Sequence, residues 1–247
     1  MSDSMTTQTV MINGHDDVEV EAYLARPEGE GPRGGMIVIH HMPGYDRGSK
    51  EIVRRFAELG YDAVMPNLYW RVAPGAAPDD AAATARAQGG VPDAQLVGDV
   101  AGAAEYLRVL PSSNGKVGVI GYCSGGRQSV LAACNVDLDA AIDCYGAFVT
   151  GTPPEEFPLK VTNLVDQLPN LRAPLLGLFG NDDKYPTPEQ VDELDEILTR
   201  EGKPHEFHRY DGAGHAFFSV NGPMYRPEAA VDGWERIEDF LNANLGG

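Results

Sequence analysis

Cysteine is scarce in this chain of 247 residues, with three in all, no Cys-x-x-Cys pair and no Cys/His spacing of a zinc site. An odd handful of cysteines rules out an evenly paired disulfide framework, and the missing ligand spacing argues against a structural metal. Positive charge is also in short supply: 19 Lys and Arg face 37 Asp and Glu, giving a formal net charge of −18. Nucleic acid and anionic membrane surfaces both need clustered cations, so neither is an expected partner. No apolar run approaches the ~20 residues that span a bilayer. The start, Met1-Ser-Asp-Ser-Met-Thr-Thr7, lacks the basic and apolar regions of a secretory signal. These absences together predict a cytoplasmic protein. Repeats and low-complexity tracts are missing too.

Apolar strands alternating with amphipathic stretches are what the chain does contain. Strands are predicted over 36–40, 61–65, 116–120, 140–144, 175–179 and 205–210. Between them Ile52, Val53, Phe56 and Leu59 share one helical face, as do Leu96, Val100, Ala104 and Leu107. Val191, Leu194 and Leu198 form a third stripe, and Val231, Trp234, Ile237 and Leu241 a fourth. This alternation predicts an α/β fold with a mostly parallel central sheet and helices on both faces, in one domain over residues 1–247. Residues 9–12 and 18–24 read instead as an antiparallel hairpin turning near Asn13-Gly14. The Ala-, Pro- and Asp-rich stretch 70–90 is expected to lie, partly helical, over a functional site.

Chemistry concentrates in Lys116-Val-Gly-Val-Ile-Gly-Tyr-Cys-Ser-Gly-Gly-Arg127, a strand that ends in Gly-x-Cys-x-Gly-Gly and leads into a helix. A nucleophile elbow needs small residues on either side because its strained turn leaves no room for side chains, and Gly121 and Gly125 meet that need around Cys123. The helix that follows aims its N-terminus at the thiol, where backbone N–H groups favour negative charge. Glycine-rich strand-to-helix turns also cradle phosphates, and many cysteines are simply packed. The turn nevertheless lacks the third glycine of Gly-x-Gly-x-x-Gly and the Gly-Lys-Ser/Thr ending of a phosphate loop, so no nucleotide cofactor is expected.

An elbow predicts an acid and then a histidine, in that chain order, each on a loop after a strand. Strand 175–179 runs into Gly180-Asn-Asp-Asp-Lys-Tyr-Pro186, where Asp182 and Asp183 compete for the orienting role. Strand 205–210 gives way to Asp211-Gly-Ala-Gly-His215, which makes His215 the candidate base. His205 and His208 lie within the alternating strand and are expected at the surface or in sheet packing, while Cys134 and Cys144 read as small core residues. His40 and His41 open the loop after strand 36–40, where a second oxyanion N–H is donated, and one of them is expected in the site. Tyr69, Trp70, Tyr122, Tyr145, Phe217 and Phe218 are candidate pocket walls, suited to a flat or cyclic acyl group.

Ile37-Val-Ile-His-His-Met-Pro-Gly44, Met65-Pro-Asn-Leu-Tyr-Trp-Arg71, the elbow Gly121-Tyr-Cys-Ser-Gly-Gly126, and Gly180-Asn-Asp182 with Gly212-Ala-Gly-His-Ala-Phe217 together carry a resemblance along almost the whole chain. They resemble the dienelactone hydrolases, the carboxymethylenebutenolidase family of the α/β-hydrolase superfamily. The resemblance implies an α/β-hydrolase fold and an ester or lactone hydrolase with Cys123 as nucleophile and His215 as base. It also points to Asp182, four residues before Pro186, as the orienting acid, with the backbone N–H groups of Met42 and Ser124 as oxyanion donors.

Two positions depart from the family. His41 stands where a glutamate is usual, and Ser219 stands where family members acting on dienelactone have an arginine, so dienelactone is not the expected substrate. His41, Arg71 and Arg86 are therefore added to the substrate-binding candidates. The expected partner is a small-molecule ester or lactone, and the expected assembly a monomer or small homo-oligomer. A thioesterase or acyl-transfer enzyme, and a thiol-sensing protein on a hydrolase scaffold, are the alternative readings.

Overall fold

The structure, a computed structural model, describes residues 4–246. Its centre is an eight-stranded sheet. In chain order the strands are β1 (Met5–Asn13), β2 (Glu19–Pro27), β3 (Arg33–Ile39), β4 (Asp62–Pro66), β5 (Ser113–Tyr122), β6 (Ala140–Cys144), β7 (Leu175–Gly180) and β8 (His205–Tyr210). They lie side by side as β1-β2-β4-β3-β5-β6-β7-β8. β1 and β2 form the antiparallel hairpin, turning through a short 3₁₀ segment at His15–Asp17, and β2 also runs antiparallel to β4. From β4 through β8 every pairing is parallel. The sheet is mostly parallel with helices on both faces, as the alternation in the sequence predicts.

Parallel strands buried on both faces read as unbroken apolar runs, because alternate side chains enter opposite layers. In β3, Ile37 and Ile39 join one core cluster while Met36 and Val38 join the other. Helices α3 (Asp93–Arg108), α4 (Ser124–Asn135) and α5 (Pro188–Arg200) cover the first face. Helices α1 (Arg47–Glu58) and α6 (Pro227–Leu245) cover the second. Helix starts follow local chemistry. The Asp46 carboxylate caps α1 by accepting from Ser49 N–H, and Thr187 with Gln190 forms a capping box in front of Pro188 at the first position of α5.

One helical stripe departs from expectation at its N-terminal end. In α6 Ile237 and Leu241 are buried as expected, but Val231 is 56% exposed, and Ala230 and Gly233 are buried in its place. The reason is steric: the Phe218 ring packs where a β-carbon on residue 233 would sit, which turns the glycine inward and leaves Trp234 at the margin under Arg55.

The connection between β5 and α4 fixes the geometry of the candidate site. A β-carbon on Gly121 would collide with the Gly125 backbone, and one on Gly125 would press on Ile39 O at 2.6 Å. Glycine at both places is thus a packing requirement of the strand-to-helix crossing. Gly121→Ala is expected to lose more than ~4 kcal/mol of stability, the range of buried backbone clashes. A urea midpoint within error of wild type would refute that close approach.

Candidate functional site

Four strands deliver their C-terminal ends to one cavity of about 460 Å³. β3 supplies His40 and Met42, β5 supplies Cys123 and Ser124, β7 supplies Asp182 and Asp183, and β8 supplies His215. The segment 70–90 does fold over this cavity: it contains α2 (Pro78–Ala87), and Arg86, Gly89 and Gly90 line the wall.

Cys123 occupies the turn with φ 58° and ψ −121°, a conformation that L side chains rarely adopt and that costs on the order of 1–3 kcal/mol. Its amide donates to Cys144 O at 3.1 Å, tying the turn to β6, and its side chain is only partly buried. Ser124 opens α4, so its N–H has no partner within the helix.

His215 lies across the sulfur. Its Nδ1–H donates to Asp183 Oδ2 at 2.9 Å, and the neighbouring Cys123 side chain also favours the charged ring. Burial alone would disfavour the charged ring, but the interactions with Asp183 and Cys123 outweigh it and push the pKa up to about 10. The imidazole is therefore an imidazolium at neutral pH, which is the partner a thiolate needs. The folded state keeps a proton that an unfolded histidine releases near ~6.5, so this stabilisation is complete below that pH and fades as pH climbs through about 10. His215→Gln is accordingly expected to lower the urea midpoint more at pH ~6 than at pH ~10. A gap that does not change with pH would mean that the ring is uncharged.

The carboxylate that reaches the imidazole belongs to Asp183, which corrects the expectation of Asp182. The two are neighbours in one tight turn. Asp182 N–H donates to Ala213 O at 2.9 Å and the Asp182 side chain is exposed at the cavity mouth. Asp183 turns inward, 2% exposed along its side chain, with Oδ1 accepting from Tyr185 N at 3.0 Å and Oδ2 on the imidazole.

Of the two adjacent histidines, His40 lines the cavity and His41 does not. His41 points away and bonds Asp46 Oδ2 at 3.0 Å, against the expectation that it contacts substrate. His40 is 2% exposed, and burial draws its pKa down to about 4. Its bonding fixes the tautomer: Nδ1–H donates to His41 O at 2.9 Å, and bare Nε2 accepts from Leu68 N at 3.3 Å. His41 O also accepts from Gly44 N at 2.9 Å, so the 41–42 peptide plane is set and the Met42 N–H points opposite to that carbonyl. Tyr69 completes the clamp, its hydroxyl donating to Met42 O at 2.7 Å while its ring meets His40 edge-on.

Arg86, Tyr69, Met42 and Ser124 line the cavity as expected from the sequence, and six other candidates do not. Arg71 is held bidentately by the buried Asp99 at 2.8 Å on each oxygen, so it is a structural strut. Trp70 packs against the apolar core. Tyr122, Tyr145 and Phe217 sit one layer behind the site, in the core cluster on the α6 side of the sheet. Tyr145 still matters there: its ring stands edge-on to His215 with centroids 5.2 Å apart. Phe218 shares that layer.

The remaining histidines and cysteines take packing or surface roles. His205 pairs with Asp195 and His208 with Glu206. Cys134 and Cys144 are buried, and burial raises both thiols, Cys134 to about 12. Asp143, fully buried beneath the first turn of α4, accepts from Gly146 N at 2.7 Å and is raised to about 7 by its burial. No group of three or more His, Cys, Asp or Glu side chains among the described residues is arranged to hold a metal ion. No helix among them is long and apolar enough to cross a membrane.

Sequence reasoning missed Phe148, Phe157, Leu159, Val161 and Tyr185, which wall the cavity from the connection between β6 and β7 and from the turn after β7. That connection is irregular, so no periodicity marked it.

The sequence pattern of the dienelactone hydrolase family matches residues 20–245. A provisionally named carboxymethylenebutenolidase of Methylorubrum extorquens is 33% identical over 234 residues, covering 91% of this chain and 77% of its own length. Another, from Escherichia coli, is 34% identical over 230 residues, covering 89% and 81%. The crystal structure of a provisionally assigned dienelactone hydrolase from Klebsiella pneumoniae superposes with a TM-score of 0.84 at 28% identity, over 96% of this chain and 98% of that one. A dienelactone hydrolase-like promiscuous phosphotriesterase from metagenomic libraries shares the fold, with a TM-score of 0.79 at 20% identity over 98% and 100% of the two chains.

Proposed function

The chain belongs to the dienelactone hydrolase family, and on that footing we propose that it hydrolyses an ester or lactone of a small molecule through a Cys123 acyl-thioenzyme. The observation that carries this reading is an accessible sulfur that shares a cavity with an imidazole held by a buried carboxylate. Nucleophile, proton carrier and orienting acid then have separate owners.

The Cys123 sulfur attacks the carbonyl carbon, a C–S bond forms, and the carbonyl π electrons move to oxygen. Met42 N–H, set by the His40 and Tyr69 clamp, and Ser124 N–H, free at the start of α4, receive that oxyanion. His215 gives its proton to the departing alkoxide, and the neutral ring then takes a proton from the water that attacks the thioester. The thiolate leaves, the acid is released, and His215 is an imidazolium again. Asp183 holds Nδ1–H throughout, so that Nε2 faces the reacting atoms.

Thiolate is a better leaving group than an amide nitrogen, so amides fall back from the tetrahedral state while strained lactones and activated esters go forward. With Arg71 bound to Asp99, Arg86 is the arginine left to receive an acidic group of the substrate. It lines the cavity and has no carboxylate partner among the described residues. The test is capture of the intermediate. Brief exposure to an activated ester, followed by acid quench and mass spectrometry of peptides, is expected to place one acyl group on Cys123. Steady hydrolysis with no adduct at that residue under rapid quench would remove the covalent route.

A further inference from the structure

One wall of the cavity takes no part in the bond-making assigned above. Phe148, just beyond β6, holds a left-handed φ of 63° although it is bulky and buried. Such a conformation persists only where surrounding contacts enforce it, and it commonly marks a ligand clamp. Its ring meets Phe157 edge-on, with centroids 4.8 Å apart at 73°, and tilts against Tyr185 at 5.3 Å and 42°. All three rings line the cavity, and Tyr185 is two residues from the acid that holds His215.

This wall is held in place from outside. Lys160 N–H donates to Gly89 O at 2.7 Å, fastening the segment that carries Phe157 to the turn after α2. Arg127, in the first turn of α4, bonds both Asp93 oxygens at 2.9 Å and donates twice to Thr162 O, at 3.1 and 2.7 Å. Its guanidinium also borders the cavity, but these contacts occupy it, so the ring-lined end offers a ligand apolar surface in place of free charge. The volume of about 460 Å³ is far more than the scissile ester group alone would fill.

Resting on the reading that Cys123 hydrolyses an ester or lactone, we infer that the substrate carries an aryl ring that seats among Phe148, Phe157 and Tyr185. An alkyl chain would gain only burial there. A flat ring adds edge-to-face and offset contacts with the three side chains, which favour it beyond the area it buries.

The experiment compares kcat/KM in two arms, ethyl phenylacetate against ethyl octanoate for the acyl side, and phenyl acetate against hexyl acetate for the alcohol side. Intrinsic ester reactivity cancels when each aryl-to-alkyl ratio is compared between variants. Phe157→Leu is expected to lower the ratio by roughly three- to tenfold in the arm whose ring occupies the seat, while Phe157→Tyr, which keeps a ring, retains it. Tyr185→Leu, at a position already 40% exposed, repeats the test from the other side. Binding of ethyl phenylacetate to Cys123→Ala protein, by calorimetry with and without Phe157→Leu, should weaken by a similar factor. Ratios and binding unmoved by both leucine variants would overturn the aryl seat. If no ester is hydrolysed, the catalytic reading fails by itself, and the binding measurement still decides the seat.

Discussion

Asp183→Asn lowers kcat by about three to four orders of magnitude, whereas Asp182→Asn leaves it within a few-fold. The two carboxylates are adjacent in the chain and differ only in where the turn sends them. Asp183 Oδ2 receives the Nδ1–H of His215, and its Oδ1 is fixed by Tyr185 N–H, so the carboxylate is steadied from both sides. An asparagine amide would offer Nδ1 an N–H donor and thereby favour the opposite tautomer, with Nε2–H pointed at the sulfur. The same substitution withdraws one of the bonds that raise the histidine pKa, so the alkaline limb of the pH–rate profile should move to lower pH. Asp182 has only a backbone bond to Ala213 and an exposed side chain. Equal losses in the two variants, or a larger loss at Asp182, would sink the assignment.

Cys123→Ala removes the nucleophile and should reduce turnover by ~10,000-fold or more while leaving the fold intact. Circular dichroism and the urea midpoint serve as the control. Cys123→Ser is the more informative partner. Serine needs a neutral imidazole to take its proton, yet His215 rests charged near neutrality, partly because of the sulfur itself. Losing sulfur lowers the ring's affinity for the proton, but a hydroxyl remains a far weaker nucleophile than a thiolate. The serine variant should therefore stay at least ~1,000-fold below wild type at neutral pH. Serine activity within tenfold of wild type would show that the enzyme does not work through an imidazolium–thiolate pair.

The sheet, the elbow and the order of nucleophile, acid and histidine were legible in the sequence because each is encoded locally. Apolar runs mark β3, β5 and β7, and glycine on either side of Cys123 marks a turn with no space for β-carbons. What escaped depends on contacts distant in the chain. The choice between Asp182 and Asp183 is made by Ala213 O, far along the chain, which claims the amide of the first while the second turns inward. Counting to Pro186 could not detect that. At the end of β3 a single step of alternation separates a histidine inside the cavity from one paired with Asp46. Arg71 could be a substrate ligand or a structural residue on sequence alone, and Asp99 from α3 makes it the second. The aromatic wall at Phe148 and Phe157 lies in irregular chain, where neither period 2 nor period 3.6 applies.

Cys123, Tyr145, Phe148 and Ala216 all have φ between 46° and 63°, and each borders the sulfur, the imidazole or the ring-lined wall. Swapping such residues for glycine relaxes the main chain. A laboratory selection that rewarded only heat resistance would therefore favour glycine at Cys123 and Ala216, where little buried side chain is lost, and would arrive at a sturdier protein without its nucleophile; at Tyr145 and Phe148 the buried rings lost would outweigh the strain relieved.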